Sequence, residues 1–178
     1  TRITEDLLRL TRLDSGAVPQ AVPVSVAQVA ERVQRMLGMV AEEKGVELHY
    51  QVDPEATVLA TEDDIHQVIY NLMENGIKYT GAGGFVGMNA AVEEDRVVIT
   101  VEDNGVGIPE EDIGHIFERF YRVDKARSRA VGGTGLGLSI VKDTVENRGG
   151  TIAVAHREGG GTVFTVSLPR ARGEEAAQ

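Results

Sequence analysis

Two glycine runs and one polar helix face hold the residues of this chain that could do chemistry. The first run is Asp103-Asn104-Gly105-Val106-Gly107, the second Gly132-Gly133-Thr134-Gly135-Leu136-Gly137-Leu138. Glycines paired at the ends of regular elements let backbone N–H groups come close to a bound group such as a nucleotide. The spacing of Gly133, Gly135 and Gly137 misses G-x-G-x-x-G by one residue, which disfavours a dinucleotide fold. The sequence has neither G-x-x-x-x-G-K-[ST] nor a His-Arg-Asp catalytic loop, which removes P-loop enzymes and ordinary protein kinases. What is left is another way of holding a nucleotide.

Asp103 closes an apolar-rich strand and opens a turn in which Gly105 and Gly107 can take φ > 0 and admit a flat ring. A carboxylate only accepts, so it suits a base edge that donates. Adenine offers an amino group where guanine offers a carbonyl oxygen. Asp-Asn-Gly is equally an Asx-turn, so the loop has a purely structural reading as well. The second run leads into a helix, whose free N–H groups and dipole can stabilise a triphosphate without a cluster of cations.

Asn71, Asn75 and Lys78 follow at steps of four and three residues and project from one helix face. Asn disfavours helix interiors because its amide competes for the backbone. Two in register with a Lys mark a polar task, against the plainer reading of a solvated face. The Asn75 amide oxygen is a hard neutral ligand suited to Mg²⁺, and Lys78 can meet a phosphate as a point charge. Between the glycine runs, Phe117, Phe120 and Tyr121 gather beside Arg119, Arg122, Arg127 and Arg129. This segment reads as a lid anchored through Phe117 and Phe120 with an arginine closing on phosphate, or as a packed loop with solvated charges.

The elements that must position these groups are legible from periodicity. Ser25 is an N-cap candidate for a helix over residues 25–43, with Val29, Val33, Met36 and Val40 at helical spacing. Residues 46–52 alternate as a strand, residues 63–79 form the helix of the two asparagines, and strands are expected over 85–90 and 97–102. An irregular stretch over 109–133 precedes a helix over 136–147 and closing strands over 151–155 and 162–168. Ile3, Leu7 and Leu10 repeat as in a helix packed along another helix, and Ser15-Gly16-Ala17-Val18-Pro19 ends it. The order predicts an α+β sandwich, a mixed sheet with helices on one face, preceded by a truncated N-terminal helix.

Composition narrows the functional classes. At 178 residues, 42% hydrophobic and 26% charged, the chain suits one main domain. A net charge of -10 argues against sequence-independent nucleic-acid binding, which needs clustered Lys and Arg. The absence of cysteine removes disulfides and thiolate chemistry. No apolar run approaches the ~20 residues of a membrane span. The opening Thr1 suggests a fragment of something longer, with any membrane segment upstream.

Taken together, these residues resemble the catalytic ATP-binding domain of sensor histidine kinases, in the superfamily that includes gyrase, heat-shock chaperone ATPases and MutL, with a Bergerat-type fold. Asn71-Leu-Met-Glu-Asn75-Gly-Ile-Lys78-Tyr79-Thr80 looks like the family's N box, and Asp103-x-Gly105-x-Gly107 like its first glycine box. Phe117-Glu-Arg-Phe120 looks like its F box, and Gly133-Thr134-Gly135-Leu136-Gly137-Leu138 like its second glycine box. The resemblance implies that Asn75 binds Mg²⁺, Asn71 and Lys78 face the phosphates, Tyr79 and Ile108 border the base, and Asp103 recognises the adenine amino group. Arg122 matches the lid arginine that reaches the phosphates, and Thr162 in Gly160-Gly161-Thr162 approaches adenine through water. Residues 7–16 look like the end of the second helix of a dimerisation and phosphoacceptor hairpin.

By this resemblance the chain divides into a hairpin remnant (1–16), a linker (17–22), the ATP-binding domain (23–170) and a polar tail (171–178). Its partners are the missing hairpin domain and a response regulator receiver domain, in a homodimeric, membrane-anchored parent with this domain in the cytoplasm. The family's acceptor is a His followed by Glu or Asp. His49, His66, His115 and His156 precede Tyr, Gln, Ile and Arg, so they are expected to be structural or surface residues. Gly76 stands where the family usually has Ala, at an expected cost of up to ~1 kcal/mol of helix stability, and Ala60-Thr61 replaces a frequent Gly-Asp. Rival readings are a gyrase-like ATPase, the Ser kinase branch that regulates sigma factors, and an interaction module in which ATP only orders the lid.

Overall fold

The computed structural model describes residues 20–119 and 137–171. Its elements are β1 (Val22–Ser25), α1 (Val26–Lys44), β2 (Glu47–Val52), β3 (Thr57–Ala60), α2 (Glu62–Lys78), β4 (Phe85–Glu93), β5 (Arg96–Asp103), α3 (Gly137–Asn147), β6 (Thr151–His156) and β7 (Thr162–Pro169). The five-stranded sheet runs β2-β4-β5-β7-β6; β2 and β4 pair in parallel, the other neighbours antiparallel. It is the mixed α+β arrangement expected. The truncated N-terminal helix expected at the start lies outside the described residues.

Strand alternation decides which face of the sheet is covered. Val97, Ile99, Val101 and Asp103 of β5 are buried, as are Val86, Met88 and Ala90 of β4 and Thr162, Phe164, Val166 and Leu168 of β7. Register aligns them in rows, among them Met88–Val101–Phe164 and Ala90–Ile99–Val166. The three helices pack on this face. Opposite it, Asn89, Thr100, Thr165 and Ala153 form a row of small residues that tolerates water.

Local chemistry sets the helix ends. The Ser25 side chain accepts from the Gln28 N–H at 3.4 Å, and Gly45 (φ 79°) ends α1 in the left-handed conformation. α2 begins with a capping box: Thr61 Oγ1 accepts from the Asp64 N–H, and Asp64 Oδ2 accepts from the Thr61 N–H. Thr61, one of the departures from the family pattern, thus takes on the capping role. At the other end Lys44 Nζ donates to the carbonyls of Ile77 and Lys78, a cation on the negative end of the helix dipole. β1 and β3, which sequence periodicity did not predict, form a separate antiparallel pair. Each has four residues and β1 contains Pro23, which is too little for a pattern of period two to declare itself.

Gly76 has a structural reason. A Cβ there would lie 2.9 and 3.2 Å from the γ carbons of Val86, so the sheet has grown into the space that Ala would need. Gly38 of α1 has nothing within 4 Å of the same position. Gly38→Ala is therefore expected to stabilise the protein by up to ~1 kcal/mol. Gly76→Ala is expected to destabilise it by about 1 kcal/mol, overpacking outweighing propensity. Paired with Val86→Ala, Gly76→Ala should become favourable, and a urea-denaturation double-mutant cycle reads the coupling directly.

Candidate nucleotide site

Asp103 is a buried carboxylate on the sheet's helix-facing side. The two-residue period that buries Val97, Ile99 and Val101 carries it inward, beside Val86 on β4 and Thr162 on β7. It is 6% exposed, and burial raises its carboxyl above the ordinary carboxylate range, opposed by N–H donation from Gly105 and Thr162 and by Arg157. The Gly105 N–H donates to Oδ1 at 2.9 Å. The Asx-turn is thus present, and it fixes the carboxylate instead of competing with a binding role. Asn104 turns away, its Oδ1 accepting from the Phe85 N–H at 2.8 Å.

The C-terminus of α2 abuts this turn. Tyr79 caps the helix, and its carbonyl accepts from the Val106 N–H at 3.1 Å. A Cβ on Gly105 would lie 2.2 Å from that carbonyl oxygen, so Gly105 is needed for clearance. Only Gly107 of the two takes a positive φ, 75°. Thr80, which sequence reasoning did not select, is 1% exposed, and its Oγ1 is buried without a hydrogen-bond partner.

Asn71 is buried at 7% exposure, and its Nδ2 lies 3.5 Å from the Gly137 carbonyl at the start of α3. This contact joins the polar face of α2 to the helix that follows the second glycine run. Asn75 is half-buried one turn along α2, and Lys78 meets Glu74 at 3.4 Å. Ile108 and Leu138 are half-buried against the core, and Phe117 packs edge-on to Phe164, their ring centroids 6.2 Å apart. With Ile116 buried, that contact anchors the segment after the first glycine run. Phe120, Arg122, Gly133, Thr134, Gly135 and Leu136 lie outside the described residues.

The β6–β7 turn supplies a further group that sequence reasoning left unassigned. Gly161 packs on the carbonyl of Asp103, with no room for a Cβ between them; the sequence signals it through the run Gly159-Gly160-Gly161 and the Gly160-Gly161-Thr162 match, without showing this contact. Arg157 of the same turn pairs with Glu102 at 3.3 Å and lies over the Phe85 ring. Each histidine has a partner of its own: His49 stacks on Phe85, His66 on Tyr70, His115 meets Glu118 and His156 meets Glu110. No three His, Asp or Glu residues among those described are grouped to hold a metal ion. One amide oxygen on Asn75 fits a Mg²⁺ that keeps its remaining ligands from water and phosphate. No described helix is long and apolar enough to cross a membrane.

Residues 60–172 match the family described as histidine kinase-, DNA gyrase B-, and HSP90-like ATPase. The chain is 37% identical to sensor histidine kinase WalK of Bacillus subtilis over 171 residues, 94% of this chain and 28% of that protein. It is 34% identical to signal transduction histidine-protein kinase BaeS of Escherichia coli, covering 97% of this chain and 37% of that protein. Full-length ShkA, crystallised in complex with AMPPNP, superposes with a TM-score of 0.80 at 32% identity, over 93% of this chain and 35% of that one.

Proposed function

The chain belongs to the histidine kinase-, DNA gyrase B-, and HSP90-like ATPase family, as a nucleotide-binding catalytic domain of the sensor histidine kinase type, and from that premise we propose that it transfers the γ-phosphoryl group of ATP to a histidine on a hairpin domain of its parent protein. The observation that carries the reading is Asp103, the single buried carboxylate among the described residues, at the inner end of β5, between the C-terminal cap of α2 and the turn before β7. A buried acceptor on a site whose other residues are amides, a lysine and a helix N-terminus suits an amino-bearing base joined to an anion.

In this reading Asp103 accepts from the adenine amino group, Tyr79 and Ile108 border the base, and Thr162 approaches it through water. Asn71, Lys78 and Arg122 face the phosphates, and Asn75 holds Mg²⁺. The Gly105 and Gly107 backbone lies against the base, the N–H groups of Gly133, Thr134, Gly135, Leu136, Gly137 and Leu138 line the phosphate cradle, and Phe117 and Phe120 anchor the lid. Mg²⁺ bound with the nucleotide supplies charge neutralisation. Lys78 and Arg122 hold the γ-phosphoryl group in line for a nucleophile that this chain does not provide. Asn71 is not a base strong enough to activate water.

Residues 1–16 would then end the dimerisation hairpin, 17–22 link it to the ATP-binding domain of 23–170, and 171–178 form a tail. The parent protein would be a membrane-anchored homodimer that passes phosphate to a response regulator receiver domain, with no role in nucleic-acid binding. The test is to mix the purified chain with a separately made histidine-bearing hairpin and γ-labelled ATP. Acid-labile label on the hairpin is expected. Rapid ATP hydrolysis by the chain alone, abolished by Asn71→Ala and without transfer of label, would replace this reading with a gyrase-like ATPase.

A further inference from the structure

α2 and α3 lie antiparallel, and a polar contact joins α2 to each end of α3. At one end Asn71 Nδ2 lies 3.5 Å from the Gly137 carbonyl, the limit of a hydrogen bond. About 10 Å away along α2, Arg148, just beyond the last residue of α3, places Nε 2.6 Å from Asp64 Oδ2. The two side chains are 7% and 17% exposed. Asp64 Oδ2 already accepts from the Thr61 N–H in the capping box, and Arg148 Nη2 is buried without a hydrogen-bond partner.

A buried ion pair with an orphaned guanidinium nitrogen is a poor way to add stability. Its desolvation penalty is large, and well-packed apolar residues of similar volume commonly do as well or better. What such a pair does offer is direction, because the planar guanidinium and the capped carboxylate meet in one geometry. Asp64 is rigid at the first turn of α2, so the pair fixes the axial position of α3 from its C-terminal end. The N-terminus of α3 then stands over Asn71, although the Asn71 contact is too weak to hold it there.

We infer that Asp64 and Arg148 are a positioning pair, which sets the N-terminus of α3 at the height at which it meets the phosphates of a bound nucleotide. This rests on the nucleotide reading above. Neither residue is among those assigned to base or phosphate above, so the pair should govern the phosphate share of binding through α3 and leave the adenine share alone.

The test compares ADP with adenosine, by calorimetry and by NMR titration, on wild type, Arg148→Met and Val24→Ala. The last removes buried methyl groups from β1, outside the α2–α3 pair, and serves as a stability control. Arg148→Met is expected to lower ADP affinity by about tenfold or more, since displaced binding groups lose their oriented hydrogen bonds. Its adenosine affinity, and both affinities of Val24→Ala, should stay within about twofold. If Arg148→Met does not fold, the ratio is read on Arg148→Lys, which keeps the charge without the fork. An unchanged ADP-to-adenosine ratio with wild-type binding intact overturns the positioning pair alone; failure of the wild type to bind ADP overturns the nucleotide reading with it.

Discussion

Asp103→Asn is expected to weaken ADP binding by on the order of a hundredfold and to remove most of the preference for ADP over GDP, both read by calorimetry. Gly105 and Thr162 present backbone N–H donors to the carboxylate, and the adenine amino group is a third donor. A carboxylate has acceptor sites for all three. An amide has one oxygen, so whichever way it is flipped its NH₂ faces a donor. The same NH₂ can meet the guanine carbonyl oxygen, so GDP should not lose in proportion. ADP affinity within about threefold of wild type would remove Asp103 from the base pocket.

The raised carboxyl of Asp103 adds a pH dependence whose sign is fixed. Below the unfolded-state value the group is protonated in both states. As pH rises the unfolded chain loses the proton first, so the contribution of Asp103 to stability is present at acid pH and lost as pH climbs through the folded value. An amino donor reverses the preference, because it favours the ion. ADP affinity of the wild type should therefore fall as pH drops through that raised value, with proton release on binding. Titration of ADP itself is common to both proteins. The gap in log Kd between wild type and Asp103→Asn should accordingly narrow on acidification, and a constant gap would refute this account.

Much of this site was legible before the fold was known, because its groups lie on elements with strong periods. The alternation Val97, Ile99, Val101 points Asp103 inward, and the spacing of Asn71, Asn75 and Lys78 is read from a helix whose adjoining face, Ile65, Val68, Ile69 and Leu72, is apolar. Illegible features were those set by distant approach. Nothing near Asp64 announces a partner 84 residues away. Gly105 reads as a turn glycine, yet its role is clearance from the Tyr79 carbonyl, which only the docking of α2 reveals. Gly76 reads as a weak helix residue until Val86 is seen to fill the missing volume. β1 and β3 owe their pairing to residues far apart in sequence, which four-residue patterns cannot signal.

The β6–β7 turn offers a separation of backbone strain from steric conflict. Gly159, Gly160 and Gly161 have φ values of 88°, 112° and 107°, and the Arg157 N–H closes the turn on the Gly161 carbonyl at 3.0 Å. A Cβ on Gly160 meets nothing within 4 Å, so Gly160→Ala carries strain alone, about 1–3 kcal/mol. Gly161→Ala carries similar strain, and its methyl group would also fall 1.9 Å from the Asp103 carbonyl oxygen. That contact has no flexible side chain to yield; β5 and β7 must part at the residue pair Asp103–Thr162. The expected cost exceeds about 4 kcal/mol, the range reserved for overpacked or strained cores, with loss of measurable ADP binding in whatever fraction folds. Urea denaturation and calorimetry on the two variants read the difference. Equal stabilities would mean that strand ends at Asp103 can separate freely, and that the carboxylate is held by its own turn and not by the turn opposite.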